Sequence, residues 1–197
     1  MNYAYFCVGA VIFFQLIGSS SMSSDTYARN QQRRFTEIAQ ELHPDLFRYA
    51  VWLSRDKAVA EDVVQEALIR AWRAFSSLRD DAAVKPWFLT IVRRENARYF
   101  ERRRLELVDI DSLTDAQTAM LATGHDTDID DLRTAIFELH DDYREPLVLQ
   151  VLMGYSSAEI AELMGIKTGA VLTRLYRARQ QLVDRFGESA LDEIAGQ

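Results

Sequence analysis

The sequence predicts an all-α fold, and three observations predict it. Large apolar residues recur at intervals of three and four, no run alternates apolar and polar residues as a half-buried strand would, and 8 Gly and 3 Pro in 197 residues supply few turn signals for a sheet. At 48% hydrophobic the chain can bury one ordinary core or two small ones. Its charge pattern and linker composition favour two small helical domains joined by an acidic flexible linker.

The elements follow in order. Tyr3 to Gly18 is apolar but shorter than the roughly 18 to 20 residues that cross a bilayer, and it lacks the basic start and small-residue cleavage site of a secretory signal. Met22 opens a polar stretch that reads as an ordinary cytoplasmic N-terminus, with the upstream residues a misplaced gene boundary; the alternative is a short membrane-associating extension. Residues 1–24 are therefore set apart from the first domain, 25–104. Phe35, Ile38, Ala39 and Leu42 form a first helical stripe from near Arg34, and His43-Pro44 breaks it, because the residue before proline avoids the α region. Pro44 then opens a second helix carrying Leu46, Phe47, Ala50, Val51 and Leu53. A third helix, about Ala60 to Phe75, turns Val63, Val64, Ala67, Leu68, Ala71, Trp72 and Phe75 inward and Glu61, Asp62, Gln65, Glu66, Arg70 and Arg73 outward. After the loop from Ser76 to Lys85, Pro86 starts a fourth helix anchored by Trp87, Phe88, Ile91 and Val92, with Trp87 assigned to the core. Tyr99 and Phe100 are open between core and base-stacking roles.

Residues 105–131 have weak periodicity and few large apolar residues, the composition of an extended or disordered linker. The second domain is 132–186, with a tail at 187–197. Leu132, Ile136 and Leu139 lead one helix; Pro146 opens the next, with Leu147, Val148, Val151 and Leu152, and Gly154 ends it. Ser156 or Ser157 caps a short helix, Gly165 supplies a left-handed turn, and Thr168 caps a last long helix.

The net charge of -7 hides a segregation. Met22 to Arg104 holds 16 basic and 12 acidic residues, Leu105 to Asp131 holds 8 acids and no Lys or Arg, and Ile166 to Arg185 holds 5 basic residues against 1 acidic. Such asymmetry, more than the total, is the footprint of a nucleic-acid binder. Enzyme chemistry finds no support: His43, His125 and His140 have no metal-ligand spacing, Cys7 stands alone, and there is neither a phosphate-cradling glycine loop nor a nucleophile elbow. No cofactor, metal or small-molecule substrate is expected.

The stretch from Ser156 to Leu182, helix, glycine turn and basic helix, has the spacing of a helix-turn-helix. Val171, Leu175, Ala178 and Leu182 share one face and must pack inward, leaving Thr173, Arg174, Arg177 and Gln181 outward. Lys167, Thr168 and Ala170 lie at the N-terminal end, where base edges are normally reached, and Arg179 adds a cation. On residues alone three readings stay open: a helical hairpin with a solvated basic face, a stand-alone regulator that binds a palindrome as a dimer, and a partner-binding module.

The motif "YREPLVLQVLMGYSSAEIAELMGIKTGAVLTRLYRARQQL" resembles region 4 of sigma-70-type transcription initiation factors, specifically their extracytoplasmic-function group. "AEDVVQEALIRAWRAF" followed by "WFLTIVRRENARYFERRR" is similar to region 2 of the same group. The resemblance spans roughly Phe35 to Phe186, with the acidic linker where larger relatives carry a globular region 3. It implies a non-enzymatic, cytoplasmic factor that binds core RNA polymerase and promoter DNA, recognises -10 and -35 elements and aids promoter opening. It implies that Asp62, Gln65 and Glu66 dock on the polymerase, that Arg93, Arg94, Asn96, Arg98, Arg102 and Arg103 hold the -10 region, and that Lys167, Thr168, Ala170, Thr173, Arg174, Arg177 and Arg179 meet the -35 region. The loop Ser76 to Lys85 would read a flipped base, and an anti-sigma factor, often membrane-bound, is a further implied partner. The chain departs from the pattern with "GAVLTRL", in which Leu172 replaces a common Lys and Thr173 a Ser, and with His140 where a Pro is frequent.

Overall fold

The computed structural model describes residues 22–78, 83–108 and 127–186, and among these every regular element is helical. The elements are α1 (Met22–Ser54), α2 (Lys57–Ala74), a 3-10 turn (Phe75–Ser77), α3 (Val84–Val108), α4 (Thr127–Glu138), α5 (Asp141–Val151), α6 (Ser157–Met164) and α7 (Thr168–Phe186). Helices α1, α2 and α3 pack on one another, as do α5, α6 and α7. The N-terminal extension, the loop residues 79–82, the centre of the acidic linker and the tail lie outside the described residues.

Two expected helix boundaries are not where the prolines suggested. α1 is continuous from Met22 and runs through Pro44 without a break. Proline removes one donor and frees the carbonyl four residues back. Here Pro44 and Gln40 both face solvent, so water can satisfy that carbonyl, while Phe35, Leu46 and Tyr49 bury the other face and favour one rod. Pro146 likewise lies inside α5, which begins at Asp141. The carbonyl it frees is that of the exposed Asp142, in the first turn. His140 is the cap, its Nδ1 accepting from the Asp142 amide at 3.3 Å. Both ends of the 105–131 segment are also helical, since α3 continues to Val108 and α4 starts at Thr127.

Phe35 anchors the first core, edge-on to Trp72 at 5.2 Å and to Phe75 at 5.1 Å. Trp87 is partly buried against this core and edge-on to the fully buried Phe88. In the second unit, Ser156 and Glu159 form a reciprocal capping box at the start of α6, and Gly165 ends that helix at φ 68°. The Ser156 hydroxyl and amide, both donating to Glu159, hold that carboxyl below its usual pKa. Lys167, not Thr168, caps α7: its carbonyl accepts from Ala170 and Val171, and Thr168 is the first helical residue. Val171, Leu175, Ala178 and Leu182 are buried, as their spacing requires.

The two units touch directly. Trp52 of α1 stacks on Phe137 of α4, centroids 4.3 Å apart and 15° from parallel. Beside them Arg144 is 2% exposed and donates to Trp52 O (2.9 Å) and Leu53 O (3.3 Å) of the first unit. Within its own unit it donates to Leu139 O (2.9 Å), Phe137 O (3.2 Å) and Asp141 Oδ1 (2.6 Å). Burial lowers the Arg144 pKa, the neighbouring Arg55 adds to this, and Asp141 opposes it. A buried guanidinium is tolerated only when its donors are satisfied in this way.

Candidate polymerase and nucleic-acid interfaces

Asp62, Gln65 and Glu66 lie exposed along one face of α2, because Val63, Val64 and Ala67 turn the opposite face into the core. Two carboxylates at i and i+4 repel slightly in isolation, and the face suits a basic partner. The residues expected to hold the -10 region do not form one surface. α3 divides them among three surroundings, following helical geometry.

Arg102 and Arg103 line a cleft of about 440 Å³ together with Asp62, Gln65, Glu66 and Tyr99. Arg94 and Arg98, one turn apart, line a second cleft of about 330 Å³, opposite Arg70 and Arg73 of α2 and beside Trp87. Glu95, 2% exposed, sits between the clefts and pairs with Arg70 Nε at 2.7 Å and with Arg98. It fixes two guanidiniums in place, while Arg73 and Arg94 stand exposed on the rim. Asn96 is half-buried, its Oδ1 enclosed without a hydrogen-bond partner among the described residues.

Arg93 occupies the third surrounding. Its Nε donates to Glu145 Oε1 at 2.6 Å, across the contact between the units, and the Tyr49 hydroxyl donates to the same oxygen at 2.8 Å. Burial pulls the Arg93 pKa down, and Glu145 and Tyr49 outweigh it, so the net shift is upward. Tyr49 is pushed well up, by burial first and by Glu145 second.

On α7, Lys167, Thr168, Ala170 and Thr173 are exposed near the N-terminus, where the helix dipole favours anions. The Thr173 hydroxyl donates to Gly169 O at 2.9 Å. Arg174 pairs with Asp142 at 2.9 Å, Arg177 donates to the Tyr143 hydroxyl at 3.3 Å and Arg179 donates to Gln150 at 2.5 Å. These bonds tie the outer arginines to α5 and orient them. Leu172 and Tyr176 are exposed on the same helix.

Sequence reasoning missed Arg70 and Arg73 as partners of the basic helix and Tyr49, Arg144 and Glu145 as a contact between units. The first pair was visible as the outward stripe of α2; only the fold shows that it faces Arg94 and Arg98. Among the described residues no cluster of His, Cys, Asp and Glu could hold a metal ion, and no helix is long and apolar enough to cross a membrane.

The sequence matches the family profile "Sigma-70 region 2" over residues 38–106 and "Sigma-70, region 4" over residues 129–182. It is 31% identical over 160 residues to the ECF RNA polymerase sigma factor SigM of Bacillus subtilis (strain 168), covering 80% of this chain and 98% of that one. It is also 31% identical to the ECF RNA polymerase sigma factor EcfG of Rhodopseudomonas palustris (strain TIE-1), covering 71% of this chain and 77% of that one. Among solved structures, the sigma factor RpoE from Bartonella quintana, in complex with the anti-sigma factor NepR, superposes with a TM-score of 0.70 at 29% identity over 77% of this chain and 96% of that one. CnrH, solved with the cytosolic domain of CnrY, shares the fold, with a TM-score of 0.57 at 23% identity over 79% of this chain and 90% of that one. With both regions matched in order and a relative covered almost end to end, the chain belongs to the extracytoplasmic-function group of the sigma-70 family, transcription initiation factors that direct RNA polymerase to promoters.

Proposed function

We propose that residues 25–104 and 132–186 work as the two promoter-engaging units, joined by 105–131 and flanked by the extension 1–24 and the tail 187–197. Asp62, Gln65 and Glu66 dock on a basic surface of core RNA polymerase. Arg94, Arg98, Arg102 and Arg103, with Arg93 and Asn96, hold the -10 strand, and Arg70 and Arg73 complete the cleft from the α2 side. A cleft walled by guanidiniums and bordered by Trp87 suits a single strand, whose phosphates meet the cations while a base stacks on the ring. α7 reads the -35 duplex through Lys167, Thr168, Ala170, Thr173, Arg174, Arg177 and Arg179, with Arg forks on guanine edges and the remaining cations on phosphate.

The chain acts by binding, without catalysis or a cofactor, in the cytoplasm where polymerase and promoter are. An anti-sigma factor completes its set of partners, supported by the solved neighbour RpoE, which is in complex with the anti-sigma factor NepR. The observation that carries this reading is the exposure of charged faces on one chain, acidic on α2 and basic on α3 and α7, with the α2 carboxylates sharing a cleft with Arg102 and Arg103.

Direct binding assays test the assignment of faces. Asp62→Arg is expected to weaken capture of core polymerase at least tenfold, roughly the 1.4 kcal/mol a buried charge contact exceeds, while leaving duplex binding unchanged. Arg73→Glu should weaken binding of a single-stranded oligonucleotide and leave polymerase capture intact. If Asp62→Arg and wild type capture polymerase equally, the α2 face is not the docking surface.

A further inference from the structure

Opposite its buried stripe, α7 carries a patch that its arginines do not account for. Leu172 is 55% exposed, Tyr176, one turn on, is 64% exposed, and Thr173 stands beside them at the surface. Residues three and four apart are neighbours on a helix, so Tyr176 adjoins both Leu172 and Thr173. We propose that this patch reads thymine: α7 sets Leu172 and the Thr173 methyl against thymine 5-methyl groups in the major groove, with Tyr176 extending the contact, and so makes the -35 site depend on A·T pairs. The inference rests on the assignment of α7 to the -35 duplex made above.

The Thr173 hydroxyl donates to Gly169 O at 2.9 Å, so its proton is used within the helix and is not offered to a base edge. The side chain is left with its methyl group and an oxygen that accepts. Leu172 has no polar side-chain atom at all. A base edge facing these two residues is therefore told apart by shape and apolar contact, and among the four bases only thymine places a methyl group in the major groove. Gly169 lies on the same face, three residues before Leu172 and four before Thr173. A Cβ there would meet no atom within 4 Å, so packing does not require glycine at this position. Glycine is a poor helix former, and an exposed one in the first turn fits a backbone that approaches its ligand closely.

The rim of the patch identifies the occupant. By helical spacing Arg177 flanks it on the Thr173 side and Arg179 on the Leu172 side, and both are exposed. Each donates to a neutral partner, Tyr143 and Gln150, so neither charge is neutralised by its bond. An apolar centre between cations matches a duplex groove, which has methyl groups on its floor and phosphates along its walls. An apolar protein surface would cover Leu172 and Tyr176 and leave those cations without a counter-charge.

The test uses the full chain bound to core polymerase. Random-sequence duplexes are selected on this complex, and the stretch of the recovered site whose protection is lost in Arg177→Ala marks where α7 sits. Each thymine of that stretch is then replaced by deoxyuridine, which removes the 5-methyl group and keeps the base pairing. At one or two positions the replacement should weaken binding by about fourfold, the worth of one buried methyl group. Leu172→Ala should bind the thymine duplex as weakly as the unmodified chain binds the deoxyuridine duplex, with no further loss on deoxyuridine, and Leu172→Met should restore the discrimination. Leu172 is exposed, so these variants keep the fold. The salt dependence of binding should be the same in Leu172→Ala, because no cation is lost. A marked stretch without A·T pairs, equal binding of thymine and deoxyuridine duplexes, or an equal deoxyuridine loss in Leu172→Ala would each overturn the inference. So would weaker polymerase capture by Leu172→Ala with thymine discrimination intact, which would assign the patch to a protein partner. Failure of the -35 reading shows separately, as a recovered site with no stretch that depends on Arg177.

Discussion

The two basic helices, α3 and α7, carry similar arginine-rich sequences and use them differently. On α7 the outer arginines bond to Asp142, Tyr143 and Gln150 within their own unit, so they are oriented and still lie at the surface. On α3 the arginines are distributed over two clefts and a contact with the other unit, and one of them, Arg93, is held by a carboxylate from α5. An arginine helix is thus not one surface. Which of its cations are open at the surface depends on what packs beside each turn, and for Arg93 on the carboxylate of the other unit.

The strongest way to break this comparison is to remove what joins the units. Arg144→Met would remove the side-chain donor from the carbonyls of Trp52, Leu53 and Phe137 and leave Leu139 O with Arg55 alone, at a cost on the order of 3 kcal/mol. Calorimetry should then show two unfolding transitions where the unmodified chain shows one. A smaller effect separates the helices directly. In the free chain, Arg177→Ala should weaken duplex binding by about tenfold, within the 1 to 3 kcal/mol of a base-reading fork. Arg93→Ala should change single-strand binding by less than about twofold, because Glu145 already withholds that cation.

Two finer effects sharpen the contrast. Leu172 is exposed on α7, so Leu172→Lys should steepen the salt dependence of duplex binding by about one unit of slope. In the first unit, burial lowers the His43 pKa below its usual 6.5. The unfolded chain therefore takes up the proton first, and stability should fall as pH drops from 6.5 toward the folded-state value. Denaturation midpoints at pH 7.5 and 5.5 should differ less in His43→Gln than in the unmodified chain.

How much of this was legible in the sequence follows from how far each signal reaches. The second unit's Ser156 cap, Gly165 turn and the Val171, Leu175, Ala178, Leu182 stripe were readable because each is decided within a turn or two of helix. Pro44 and Pro146 misled because a proline's cost depends on whether the freed carbonyl reaches water, which is a property of the folded surface. Tyr49, Trp52, Arg144 and Glu145 gave no periodic signal for their partners, which lie in the other unit. The charged faces of α2 and α7 were visible as outward stripes; the opposition of Arg73 to Arg94 across a cleft needed the packing of α2 on α3.

Run-off transcription on genomic fragments, with the full chain and purified core polymerase, tests the central claim most directly. The account predicts discrete start sites that require both components and that fall sharply with Asp62→Arg and with Arg174→Ala. A chain that adds no start sites to core polymerase and instead binds DNA tightly alone as a dimer would contradict it.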